Sequence, residues 1–199
     1  MIFLRYESFS QYIRMYRVTT VLLALNLLLF ALAYFSPFGG FIMGFGSLIH
    51  GAPYHLDLWR YVTSIFLHGG FDHLLFNCFA IFVFAPPLEY LLGRGRYTLL
   101  FLGSGVIGNL ISMIVYNNTY TPSVGASGAI YGIYGAYLFL IAFRRHALDP
   151  SSRKTVQIFV VMGIIYSFLI PEVNWAAHIG GLLGGILIFS RIVSGLRRR

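Results

Sequence analysis

A chain of 199 residues that is 58% apolar and only 10% charged departs from soluble domains, which carry about a quarter charged residues, and its mean hydropathy of +0.77 excludes an ordinary water-soluble globule. The formal net charge of +8 invites a nucleic-acid reading, but the basic residues gather in alternate connections between apolar blocks, where anionic lipid headgroups account for them without DNA or RNA. A single cysteine, Cys78, excludes an internal disulfide.

The apolar residues run in long blocks rather than on one helical face, which predicts an all-α, polytopic membrane protein of six spans, each about 20 residues long. Arg5, Arg14 and Arg17 precede the first span, residues 18–34. Its basic lead, apolar run and Ala31-Leu32-Ala33 imitate a cleavable signal peptide, but the run is long for a signal and aromatic residues surround the cut, so we read it as retained. The connection 36–58 has no Lys or Arg and mixes five glycines with Phe, Tyr and Leu; it is expected at headgroup level, folded against the bundle. The second span, residues 61–91, carries His68, Asp72, His73 and Asn77 near its outer half, with His73 and Asn77 four apart on one face. Cys78 follows as a packing residue.

Arg94 and Arg96 lead into the third span, 97–116, and the connection 117–126 again lacks basic residues. The fourth span, 127–143, opens on Gly125-Ala126-Ser127-Gly128; Tyr131 lies four residues after Ser127, and Gly128, Gly132 and Ala136 make a small-residue stripe. Arg144, Arg145, Arg153 and Lys154 precede the fifth span, 156–170. The sixth, 174–193, carries His178 with Gly181 and Gly185 on the same face, and Arg197, Arg198 and Arg199 end the chain. This alternation of basic and non-basic connections is the positive-inside pattern and predicts that both termini face the cytoplasm. No repeat or linker divides the chain, which reads as one domain: a short segment 1–17, a membrane core 18–193 and a basic tail 194–199.

Polar groups inside spans are costly and usually functional. A base must come within about 2.6–3.2 Å of the hydroxyl it deprotonates, and the glycines beside Ser127 and His178 would let two helix backbones approach closely enough. Ser127 begins its helix, where free N–H groups and the positive dipole end would meet a developing oxyanion; His73 and Asn77 could add donors. Gly125 and Gly128 leave room for a substrate backbone. These residues supply a nucleophile, a base and an anion hole. Alone, a serine between glycines would be helix packing and a lone histidine an interhelical hydrogen bond; together the catalytic reading is favoured. Asp72 invites a triad reading beside His73, but an interfacial carboxylate or a hydrogen-bond acceptor is the favoured reading, and no H-E-x-x-H pattern points to a metal. Asn117-Asn118-Thr119 forms a glycosylation sequon, while His50, His55 and His146 read as loop or interfacial residues.

Over about residues 58–189 the chain resembles the rhomboid intramembrane serine proteases. Trp59-Arg60 is similar to the Trp-Arg pair of the family's first outer loop, and His68, His73 and Asn77 to its His/Asn cluster. Glu89 with Gly93 resembles the ExxxG signature, Gly125 to Gly128 the GxSG motif, and Ala177-His178 with Gly181 and Gly185 the AHxxGxxxG motif. The resemblance implies a Ser–His dyad without a catalytic acid: Ser127 as nucleophile, His178 as base and acid, and His73, Asn77 and the Ser127 N–H as oxyanion donors. Tyr131 would pack against the histidine, and His68, Trp59, Arg60 and Glu89 would support the site. It further implies no cofactor, cleavage of transmembrane protein substrates near the outer face of the cell membrane, and a minimal six-span form without the family's soluble extensions; no oligomeric state follows. Two rival readings are a small transporter lined by His68, Asp72, His73 and Asn77, and a noncatalytic rhomboid-like protein that escorts transmembrane clients. Against the first stands the lack of a repeated half; against the second, the presence of both serine and histidine.

Overall fold

The computed structural model describes residues 1–144 and 146–196; Arg145, Arg197, Arg198 and Arg199 lie outside the described residues. Their helices, in chain order, are α1 (Phe9–Met15), α2 (Arg17–Phe35), α3 (Gly39–Gly46), α4 (Arg60–Thr63), α5 (Phe71–Leu92), α6 (Arg94–Val115), α7 (Ser127–Phe143), α8 (Pro150–Leu169) and α9 (Trp175–Leu196). By length and composition α2, α5, α6 and α9 (to Gly195) can cross a membrane, and α7 is apolar but shorter, at 17 residues. Leu27, Phe76, Ile114, Met162 and Leu187 point outward, each more than half exposed, as lipid-facing side chains would.

The second predicted span is not continuous. Residues 61–91 divide into the end of α4, a 3-10 turn at Ser64–Phe66, a non-helical stretch 67–70 and α5. Leu67 is extended, and Gly69-Gly70 carry no side chains that would favour continuing a helix. The break therefore puts His68 ahead of α5 rather than on it. At the other end, α8 starts six residues before the expected 156, because Asp149 caps it: its carboxylate accepts from the Ser152 N–H at 3.0 Å and the Ser152 hydroxyl at 2.6 Å, with Pro150 in the first turn. Those bonds hold the pKa of the half-buried Asp149 carboxyl down to about 2.

α5 continues through Pro86 and Pro87. Pro86 has no N–H for the carbonyl of Phe82, and the Tyr12 hydroxyl of α1 donates to that oxygen instead, at 3.3 Å, while its ring stacks on Phe82. The inner end of α5 also secures α2. Tyr16 precedes α2 without a side-chain cap, and the Glu89 carboxylate takes its place, accepting from Val18 N, Thr19 N and Thr19 Oγ1 at 2.9, 2.8 and 2.7 Å. Both Glu89 and Thr19 are buried, so Glu89→Ala would leave three donors unpaired. We expect a loss of roughly 2–4 kcal/mol, measured as a lowered unfolding transition in detergent.

α6, α7 and α9 form the most closely packed trio. A Cβ at Gly181 would fall on the Gly128 carbonyl oxygen of α7, and one at Gly185 on that of Gly132. Backbones touch because no side chain separates them. Above the trio, a two-residue antiparallel pairing of β1 (Leu48–Ile49) with β2 (Pro122–Ser123) joins the 36–58 connection to the segment that leads into α7. The 36–58 connection is accordingly folded against the bundle.

Candidate active site

Ser127 is the first residue of α7, and Ala126 before it provides no side-chain cap. The N–H groups of the first turn are therefore free of a capping side chain. Gly125 precedes with φ +131°, and a Cβ there would lie 2.6 Å from the His73 imidazole. Both the backbone conformation and the neighbouring ring require glycine. Its N–H donates to the Ser64 carbonyl at 2.9 Å, anchoring the approach to α7 on the 3-10 turn before α5.

The Ser127 hydroxyl oxygen lies 2.7 Å from His178 Nε2. His178 is buried at 6% exposure, and its ring stacks on Tyr131 with centroids 4.3 Å apart and planes 12° apart. The second ring nitrogen, Nδ1, is 2.7 Å from the Ser167 hydroxyl of α8. Ser127 and His178 thus come from α7 and α9, the pair whose backbones meet at Gly128 and Gly181.

His73 lies beside this pair, against the position of Gly125, and its ring centroid is 5.1 Å from that of His68. Asn77 donates from its side-chain amide to its own helix, to the His73 carbonyl at 2.8 Å, and makes no hydrogen bond to Ser127 or His178. His68 and Asn77 are buried like His178, at 1% and 4% exposure, whereas His73 and Ser127 are half-buried. Asp72 stands exposed in the first turn of α5, where its charge suits the helix dipole.

Trp59, Arg60 and Glu89, expected to support the site, make their hydrogen bonds elsewhere than to Ser127 and His178. Arg60 is an organiser of the outer connection: its guanidinium donates to Asp57 Oδ2 and to the carbonyls of Gly44 and Ser47 at 2.7, 2.7 and 2.8 Å. Trp59 donates to the Phe45 carbonyl and stacks on the Phe45 ring. Glu89 is sixteen residues beyond His73 on the same helix, about 24 Å along its axis, capping α2.

Several residues that hold the site escape a reading of the sequence. Asn174 accepts from Ala177 N at 2.9 Å, a side-chain cap for α9, and donates to Ser112 and Ser123 hydroxyls at 2.6 and 2.9 Å. Buried His50 meets the Thr121 carbonyl through Nδ1 at 2.8 Å and Ser112 Oγ through Nε2 at 2.6 Å. The carbonyl can only accept, so Nδ1 carries the proton and Nε2 accepts from Ser112; burial holds the imidazole below its ordinary value, favouring that neutral form. Asn109 donates to the Tyr61 carbonyl and Ser64 hydroxyl. The asparagine before Trp175 is a legible capping signal; the rest are single polar residues with no motif.

A family model described as the Rhomboid domain matches residues 55–194. The chain is 38% identical over 202 residues to a Bacillus subtilis protein named "Putative rhomboid protease YdcA", with 99% of each chain covered. It is 31% identical to the rhomboid protease AarA of Providencia stuartii over 196 residues, covering 86% of this chain and 70% of that one. To the rhomboid protease GluP of Bacillus subtilis it is 31% identical over 144 residues, 72% of this chain and 28% of the relative.

Proposed function

The chain belongs to the rhomboid family, and we propose that this multi-pass membrane protein is an intramembrane serine endopeptidase that cuts peptide bonds in or beside transmembrane segments of other membrane proteins. The observation that carries the reading is the 2.7 Å contact between Ser127 Oγ and His178 Nε2 at the start of α7. Relatives named as proteases add to it. We further propose six spans, with both termini in the cytoplasm of a cell-membrane protein and the dyad toward the outer side, since the connections lacking Lys and Arg are those next to Ser127 and His178.

In the proposed reaction Ser127 Oγ attacks the scissile carbonyl as its proton passes to His178 Nε2. The oxyanion is held by first-turn N–H groups of α7 and by His73, with Asn77 joining once its amide turns from the His73 carbonyl. His178 then gives its proton to the leaving amine, and water, deprotonated by His178, releases the acyl group. A substrate helix must unwind first, because its carbonyls are occupied by internal bonds; Gly or Pro near the cut lowers that cost.

Labelling with a serine-reactive fluorophosphonate tests the reading: the wild-type protein takes up the probe and Ser127→Ala does not. Equal labelling of both, or of neither alongside absent cleavage of a single-span substrate, favours the escort function instead. Loss of one oxyanion donor typically costs about 10²–10³ in rate. His73→Ala and Asn77→Ala are each expected to reduce turnover within that range, and a wild-type rate in the double variant would remove them from the mechanism.

A further inference from the structure

Resting on the dyad reading above, we infer that Ser167 of α8 is a positioning residue: it accepts the Nδ1–H of His178 and so holds the imidazole in the tautomer whose Nε2 is free to deprotonate Ser127. The argument is one of proton counting. A serine hydroxyl has one proton to donate and two lone pairs to accept with. Ser167 Oγ has three neighbours: the Gly163 carbonyl at 2.7 Å, His178 Nδ1 at 2.7 Å and the Tyr131 hydroxyl at 3.0 Å. The carbonyl can only accept, so the Ser167 proton goes there. Both lone pairs then face the other two groups, and both must donate. His178 therefore carries its proton on Nδ1, and its Nε2 lone pair faces the Ser127 hydroxyl.

The surroundings reinforce this arrangement. Ser167 is 2% exposed and His178 6%, so bulk water does not compete for either atom. Tyr131 clamps the imidazole twice, by stacking on its face and by a hydroxyl on the serine that receives its proton-bearing edge. When His178 takes the Ser127 proton, the Nδ1–H bond becomes charge-assisted and strengthens. Ser167 thus occupies, on a third helix, the position a carboxylate holds in a Ser–His–Asp triad. A neutral oxygen does so without burying an anion in the membrane interior, where charge is costly.

The test joins a spectroscopic and a kinetic measurement on the full chain in lipid nanodiscs. With ¹⁵N-labelled histidine, the His178 signals, assigned by their loss in His178→Gln, should show a protonated Nδ1 and an unprotonated Nε2 at neutral pH. Ser167→Ala should lower kcat by on the order of 10- to 100-fold, the range for a hydrogen bond to a charged group. KM should stay as in wild type, because Ser167 touches no substrate. The acid limb of the pH–rate profile should move to lower pH, since the imidazolium has lost an acceptor. Ser167→Thr, which keeps the hydroxyl, should recover most of the rate. A protonated Nε2 in the wild-type protein overturns the inference, as do wild-type kcat and acid limb in a folded Ser167→Ala. Should that variant fail to fold, the wild-type tautomer decides alone. The same measurement separates this inference from the proposed activity, which fails if wild type and Ser127→Ala leave the single-span substrate equally uncut.

Discussion

Ser127→Ala is expected to reduce cleavage of a single-span substrate by about 10⁴-fold or more, with folding unchanged. The change removes one oxygen whose hydrogen-bond partner is His178 Nε2. It takes no cap from α7, because Ser127 follows the capping position and Ala126 caps without a side chain. Unfolding should therefore agree with wild type to within about 1 kcal/mol, the net worth of one such bond. On the proposed mechanism no acyl-enzyme then forms, and only binding and oxyanion stabilisation remain. His178→Ala should be as inactive but less stable, for it also strips the ring from Tyr131 and removes one of the three hydrogen-bond partners of the Ser167 hydroxyl. Members of such a unit act together, so the double variant should be no slower than either single one. Rates that multiply instead, or normal turnover by Ser127→Ala in a preparation free of other proteases, would show that the two residues do not act as one catalytic group.

Much of this architecture is legible in the sequence because lipid imposes simple rules. Apolar length marks the helices, and the expected 127–143 matches α7 at both ends. The meeting of Ser127 with His178 follows from small residues on facing helices, a pattern that survives any uncertainty about boundaries. The errors have local causes. A run of apolar residues conceals the non-helical turn at residues 67–70, since Leu67 and Phe66 suit a helix or an extended segment equally and only Gly69-Gly70 signals the change. The start of α8 is written in Asp149-Pro150, a capping signal, whereas apolar content begins only after the polar residues 151–155. Tyr12 is harder: its partner carbonyl is free only because Pro86 is seventy-four residues away in sequence, and nothing local announces the pairing. Ser167, Ser112 and His50 belong to the same class, each an isolated polar residue whose meaning lies in which helix it faces.

Gly181→Ala should cost both stability and catalysis, and the reason lies in the backbone. Lipid tails are as apolar as the side chains, so helices in a bilayer associate by close packing rather than by escaping solvent. A Cβ at Gly181 would overlap the Gly128 carbonyl oxygen and lie 2.7 Å from its carbon and 3.1 Å from its Cα. None of these atoms can rotate aside, so α7 and α9 must separate, at an overpacking cost of about 1–3 kcal/mol. Gly128 is next to Ser127, and Gly181 is one turn beyond His178 on α9, so the separation acts directly on the 2.7 Å contact. A displacement on the order of 1 Å can cost 10²-fold in rate, and that is the loss expected in kcat. Gly185→Ala meets the Gly132 carbonyl oxygen one turn deeper; it should lower the unfolding transition comparably while affecting kcat less. Gly95→Ala, with no heavy atom within 4 Å of its added carbon, should leave kcat at the wild-type value and the unfolding transition close to it, since Gly95 lies in the first turn of α6, outside the interior where alanine's propensity advantage is largest. If Gly181→Ala turned over normally while Gly185→Ala did not, the distance between nucleophile and base would be set elsewhere, by Tyr131 and Ser167 around the ring rather than by the crossing of the two helices.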